Sequence, residues 1–166
     1  MADPRASDPT RQSLWRPLRL LQASIDADIA RVYSEKRIKG LKPSYVMELL
    51  RLHAHGPMTI TELAESVGRT HSALSQKVAA MREAGWVTTV AGDDARSKEV
   101  TLTDEARRVI GRLAAEWRAT EMAIAEIEAE IPYPLTRVVT DIERALTRKS
   151  FYDRITEKLA EDPDWL

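Results

Sequence analysis

The stretch from Met58 to Thr103, MTITELAESVGRTHSALSQKVAAMREAGWVTTVAGDDARSKEVTLT, decides how the rest of the chain is read. It opens on Thr59-x-x-Glu62, a capping box in which the threonine oxygen takes an orphan amide of the first helical turn and the glutamate reaches back to the Thr59 amide. A short helix therefore starts near Ile60. Leu63, Ala64 and Val67 share one face of it, and Gly68 stands where the chain must turn without a Cβ clash. Thr70 then caps a second helix. Leu74, Val78 and Met81 recur there at i, i+4 and i+7 and point inward against Leu63 and Val67. The opposite face carries His71, Ser72, Ser75, Gln76 and Ala79, small or hydrogen-bonding side chains in place of the Glu/Lys mixture of a purely solvated helix. Such a face fits a groove.

From Arg69 through Arg82 no acidic residue occurs, while Arg69, Lys77 and Arg82 are basic, so the local field favours phosphate. Gly85 closes the helix. Trp86 to Ala91 reads as a strand, Gly92-Asp93-Asp94-Ala95 as a turn, and the residues through Val100 and Leu102 as a second strand, which together make a β-hairpin or wing. Arg96 sits at its tip, where a long cation reaches an adjacent minor groove, and Asp94 is spaced to hold the guanidinium in a bidentate pair. Taken without its flanks, the Asp94/Arg96 pair reads better as an ordinary surface ion pair worth about 0 to 1 kcal/mol. His71 alone likewise reads as a solvent-facing or capping histidine. Thr103 caps the next helix.

ELAESVG, the THSALSQKV helix, AGWV and D-x-R-S-K-x-V-x-L-T follow one another in the order and spacing of a known family, and by them the chain resembles the MarR family of transcriptional regulators. The motifs cover under half of the chain, although the flanking helical segments have the family's arrangement as well. The resemblance implies a mainly α fold with a small β-wing: a winged helix-turn-helix with N- and C-terminal dimerisation helices. It also implies a homodimer on double-stranded DNA, acting as a repressor and released by a small aromatic or anionic effector bound between the dimerisation helices and the winged lobe. Lys42 stands where a helix-capping Thr or Ser is common, and Ala106 replaces a frequent glycine. The chain has no cysteine, which removes the family's thiol-oxidation branch along with disulfides and thiolate nucleophiles.

The composition agrees with such a protein. Of the 166 residues 43% are hydrophobic and 31% charged, which excludes disorder throughout and fits one protomer with an extended dimerisation part. Net charge is −1, so no global basic field draws nucleic acid and affinity has to come from local patches doubled by symmetry. No secretion signal or membrane-length apolar run occurs, and a cytoplasmic location without membrane contact is expected. Residues 1–10 lack apolar content and are expected to form a disordered tail. From about Gln12, Leu14, Leu18, Leu21, Ile25, Ile29 and Val32 predict a long amphipathic helix ending before Gly40. After it, Pro43 starts a helix that Gly56-Pro57 breaks. Beyond the wing, Val109, Leu113, Trp117, Ile124, Ile127 and Ile131 continue a helical stripe up to Pro132 and Pro134. Leu135, Val138, Val139, Ile142 and Leu146 begin a final helical segment, which Phe151, Ile155 and Leu159 extend. These stripes either close a core within one protomer or meet a second copy. The surplus of apolar surface over what a small winged domain needs favours the dimer. The expected division is thus a helical dimerisation region at 11–42 and 104–160, a winged helix-turn-helix at 43–103, and a C-terminal tail at 161–166 in which Trp165 has no role beyond a packing anchor.

The expected DNA-contacting residues are Arg69, Thr70, His71, Ser72, Ser75, Gln76, Lys77, Asp94 and Arg96. Ser72, Ser75 and Gln76 touch base edges, with Gln76 suited to adenine; Arg69 and Lys77 hold phosphates, and Arg96 probes the minor groove. Effector-site residues are not identifiable. His53 and His55 diverge by about 200° on a helix and do not share a metal, so neither a metal nor another cofactor is expected. No Gly-rich phosphate loop and no nucleophile with an adjacent base points to an enzyme. The alternative is a winged-helix module that binds protein partners without sequence-specific DNA binding.

Overall fold

Pro17, in the first turn, sets the helical φ for α1, Arg16–Glu35, which begins without a side-chain cap. The helix starts one turn later than the apolar spacing predicts and leaves Leu14 outside it at 92% exposure. It ends in a Schellman motif: the Arg37 amide donates to Ser34 O and the Ile38 amide to Tyr33 O, with buried Tyr33 and Ile38 at the two ends of the turn. Arg37 takes the left-handed conformation this requires, φ 57, at a position where glycine is usual. The computed structural model describes residues 8, 10, 13–92 and 97–165. Within it the chain divides into two compact units, Met1–Glu116 and Trp117–Leu166.

In the first unit, Pro43 initiates a 3-10 turn, Pro43–Tyr45, that leads directly into α2, Val46–His55. With Lys42 in place of a Thr or Ser, this start has no side-chain cap. Gly56, at φ 83, ends α2. The Thr59/Glu62 capping box forms in full and opens α3, Ile60–Ser66; the helix stops ahead of Gly68, which takes φ 63. Thr70 caps α4, His71–Glu83, by accepting a hydrogen bond from the Ala73 amide. Gly85, at φ 80, turns the chain into β1, Val87–Ala91, which pairs antiparallel with β2, Lys98–Leu102, in the register Val87↔Leu102 through Ala91↔Lys98. Met58 adds a short third rung by exchanging two backbone hydrogen bonds with Val100. Thr103 ties the base of the wing, because its hydroxyl donates to Gly85 O and its oxygen caps α5, Asp104–Glu130, at the Ala106 amide.

The core of this unit is Leu49 and Leu52 from α2, Leu63 from α3, Leu74 and Met81 from α4, Val100 and Leu102 from β2, and Leu113 from α5, each at most 3% exposed. Full burial of such a side chain stabilises by about 1.5–3 kcal/mol, so these few positions dominate the packing energy. Trp86 is buried too, and its indole N–H donates to Gly40 O, fixing the segment before α2 against the start of the wing.

The second unit holds the end of α5, then α6, Leu135–Arg148, and α7, Phe151–Ala160. Pro132 and Pro134 interrupt the helix as expected. The Thr136 amide at the start of α6 donates to the Glu128 carboxylate, which replaces the missing side-chain cap. The single final helix expected from the apolar spacing is instead two. Lys149 is extended, at φ −153 and ψ 117, and Ser150 caps a new helix by accepting from the Asp153 amide. Arg154 then donates to Lys149 O and to Ala145 O, which also accepts the Lys149 amide, and so ties α7 to the end of α6. None of the described residues of this unit is buried. Trp165, expected as a packing anchor, is 68% exposed.

Candidate nucleic-acid interface

The α3–turn–α4 unit is fixed from inside. Leu63, Leu74, Val78 and Met81 are buried, and the Arg69 amide donates to Ala64 O across the Gly68 turn. This rigid seat decides which face of α4 is presented outward. Ser72, Gln76, Ala79 and Glu83 follow at i, i+4, i+7 and i+11 and are all exposed. Ser75 is half-buried on one flank and Lys77 on the other. Arg69, Thr70 and His71 are exposed at the helix N-terminus, where backbone amides and the helix dipole favour an anion, although the Thr70 oxygen is already engaged as the cap. Glu83 ends the outward row with a negative charge. The outward row is therefore free of acidic side chains from Arg69 to about Ala79.

Lys77, expected to hold a phosphate, turns inward instead: its ammonium donates to Glu48 Oε1 at 2.7 Å and to Ser44 O at 2.8 Å, and its side chain is only 15% exposed. The physical reason is Glu48, a carboxylate in the first turn of α2 with 1% exposure, which would be left charged and unpaired without it. Glu48 lies 29 residues away in sequence, and nothing local to either residue announces the pairing. At the other end of α4, exposed Arg82 lines a shallow cleft of about 300 Å³ with Thr89, Ser97 and Lys98 of the wing, which adds a second cation from β2 beside the helix. Asp94 and Arg96 lie outside the described residues.

A separate apolar cavity of about 250 Å³ is lined by Val32, Tyr33 and Ile38 together with Leu113, and Lys36 and Arg112 bring cations to it. The Tyr33 hydroxyl donates to Glu116 at 2.6 Å. Burial, and then the bond to that carboxylate and its charge, push the Tyr33 hydroxyl well above its ordinary pKa, so it stays a neutral donor. Among the described residues no group of histidines and carboxylates is arranged to hold a metal ion, and no helix is long and apolar enough to cross a membrane.

A family model described as MarR family matches residues 39–97, the span from the α1–α2 turn to the wing. Solved structures share the architecture. The Staphylococcus aureus MepR–DNA complex superposes with a TM-score of 0.59 at 12% identity, over 82% of this chain and 97% of that one. The Mycobacterium tuberculosis transcriptional regulator MosR in complex with DNA gives 0.54 at 25% identity, over 80% and 92%. A MarR protein from Peptoclostridium difficile gives 0.56 at 17% identity, over 84% and 90%. No curated protein sequence matches significantly.

Proposed function

We propose that this chain, whose winged-helix domain at residues 39–97 is of the MarR family, is a transcriptional regulator that binds duplex DNA as a homodimer. The observation that carries the reading is the outward face of α4, where Ser72, Gln76 and Ala79 stand exposed behind an N-terminus flanked by Arg69 and free of acidic side chains. Two of the similar structures, MepR and MosR, are complexes with DNA, and MosR is the nearer of these two in sequence. Inserted into a major groove, α4 brings Ser72 and Gln76 to base edges, with Ser75 at the flank and Gln76 suited to the two adjacent hydrogen-bonding positions of adenine. Arg69, Thr70 and His71 face the backbone at the helix entrance, and the Arg82/Lys98 edge meets the phosphates beside the wing. Arg96 is assigned to the minor groove, and Asp94 to pairing with it, on their places in the sequence alone.

A second copy is supported by the Trp117–Leu166 unit. Leu135, Val138, Val139, Ile142 and Leu146 form one stripe of α6, and each is 36 to 45% exposed in the isolated chain. A unit with no buried residue of its own gains its core by pairing. With both copies on one face of DNA, the two α4 helices meet successive major grooves about 34 Å apart and read an inverted repeat. The largely apolar cavity beside Tyr33, where Lys36 and Arg112 stand with the Glu116 carboxylate, offers a place for a small aromatic effector. Its occupation would shift the population of DNA-competent spacings and release the operator, which makes the regulator a repressor wherever that operator overlaps a promoter.

Selection from a random-sequence duplex library tests this. The expected result is enrichment of an inverted repeat, with affinity that falls steeply as salt rises and that weakens in Arg96→Ala while the fold is retained. A folded protein that enriches no sequence at low salt would instead be a winged-helix module for protein partners.

A further inference from the structure

We infer that Glu48 and Lys77 are a positioning pair that sets the roll of the α4 helix, and that Lys77 takes no part in neutralising DNA phosphate. The inference rests on the DNA-binding reading above and assigns within it a role for the one cation of α4 that points inward. Lys77 immediately follows Gln76, so rotation of α4 that carries Lys77 outward also carries Gln76 off the centre of the exposed face. Two anchors oppose that rotation. The Lys77 ammonium is held by Glu48 Oε1 on α2 and by Ser44 O in the 3-10 turn ahead of it, at 2.7 and 2.8 Å, so the lysine is fixed to two points of one neighbouring segment.

Glu48 is 1% exposed and its second oxygen, Oε2, finds no hydrogen-bond partner among the described residues. A carboxylate left half satisfied is a poor way to stabilise an interior, since an apolar pair of similar size avoids the desolvation altogether. What the ionic pair supplies is direction. A hydrophobic contact tolerates sliding, whereas an ammonium that holds both a buried carboxylate and a carbonyl gives up a charge-assisted bond when the helix turns. Leu74, Val78 and Met81 bury α4, and the pair fixes which way its other face looks.

The experiment compares wild type, Lys77→Met and Glu48→Gln on the duplex enriched from the random library and on an unselected duplex, each across a salt series. Glu48→Gln removes the charge that holds the ammonium at nearly unchanged size and serves as the milder variant if Lys77→Met unfolds. For a positioning pair, both variants lose about tenfold or more of the preference for the selected duplex, affinity for the unselected duplex is unchanged, and the salt slope stays at the wild-type value. A phosphate contact gives the opposite pattern: Lys77→Met weakens both duplexes alike and flattens the slope by about 0.9 per protomer. That pattern, or full preference retained in Glu48→Gln, overturns the inference. Wild-type protein that binds no duplex overturns the DNA-binding function itself, an outcome separate from a binding wild type whose variants behave as phosphate mutants.

Discussion

Thr59 and Glu62 satisfy one another's backbone amides at the entry of a helix only seven residues long, Ile60–Ser66, so a local cap decides whether α3 forms at all. The Thr59 amide, and then its hydroxyl, donate to the Glu62 carboxylate and hold its pKa below the ordinary value. A depressed carboxylate contributes stability that is present above its unfolded pKa and is lost as the pH falls through the folded one. Thr59→Ala is expected to destabilise by about 1 kcal/mol at pH 7. The loss should shrink on acidification to pH 3, because protonated Glu62 no longer gains from the threonine. Urea unfolding at the two pH values checks this, and a loss independent of pH would show that the Thr59 hydroxyl does not hold the carboxylate, since the bond from the residue-59 amide remains in the variant. The capping box was legible because its whole chemistry lies within four residues. Lys77 was not, since its partner Glu48 belongs to another helix and burial alone distinguishes its ammonium from that of a phosphate-binding lysine.

At the scale of elements, the predictions that held rest on punctuation. Gly68 takes positive φ in the turn between α3 and α4 and Gly85 does so just past the end of α4, Pro43 opens the helical segment before α2, and the hairpin pairs where the strand from Trp86 to Ala91 and the strand through Val100 and Leu102 were expected. The reading failed where apolar period continued across a break. Phe151, Ile155 and Leu159 keep a helical spacing, so they read as an extension of α6, but the step from Leu146 to Phe151 is five residues and Ser150-x-x-Asp153 is itself a capping signal. The cap outweighed the period, and α7 starts afresh with Arg154 tied back to Ala145 O of α6. In α1 the failure was at the start. Leu14 fits the stripe, yet the helix begins at Arg16 with Pro17 in its first turn, where a fixed φ and a missing amide have least consequence.

For the whole molecule, the account depends on a second copy. The apolar row of α6 is exposed along its length, and a stable interface of standard size covers about 800 Å² on each partner. Ile142→Asp places a charge in the middle of that row. Sedimentation is expected to show the wild type as a dimer and this variant as a monomer with undiminished helix content; a variant that stays dimeric would place the interface elsewhere. The fold at this scale was legible in the order of helix, turn, helix and hairpin, while the cavity beside Tyr33 was not, because Tyr33, Ile38 and Arg112 converge on it from segments far apart in sequence.

The central claim is that α4 reads base edges with Ser72 and Gln76. The most direct measurement is base preference at each position of the enriched duplex for wild type and for Gln76→Ala. The account predicts that one position in each half-site loses its preference, at about 1–3 kcal/mol, while the salt dependence is unchanged. An unaltered preference at every position, with equal affinity, would show that Gln76 does not read the sequence and would contradict the assignment of α4 as the recognition helix.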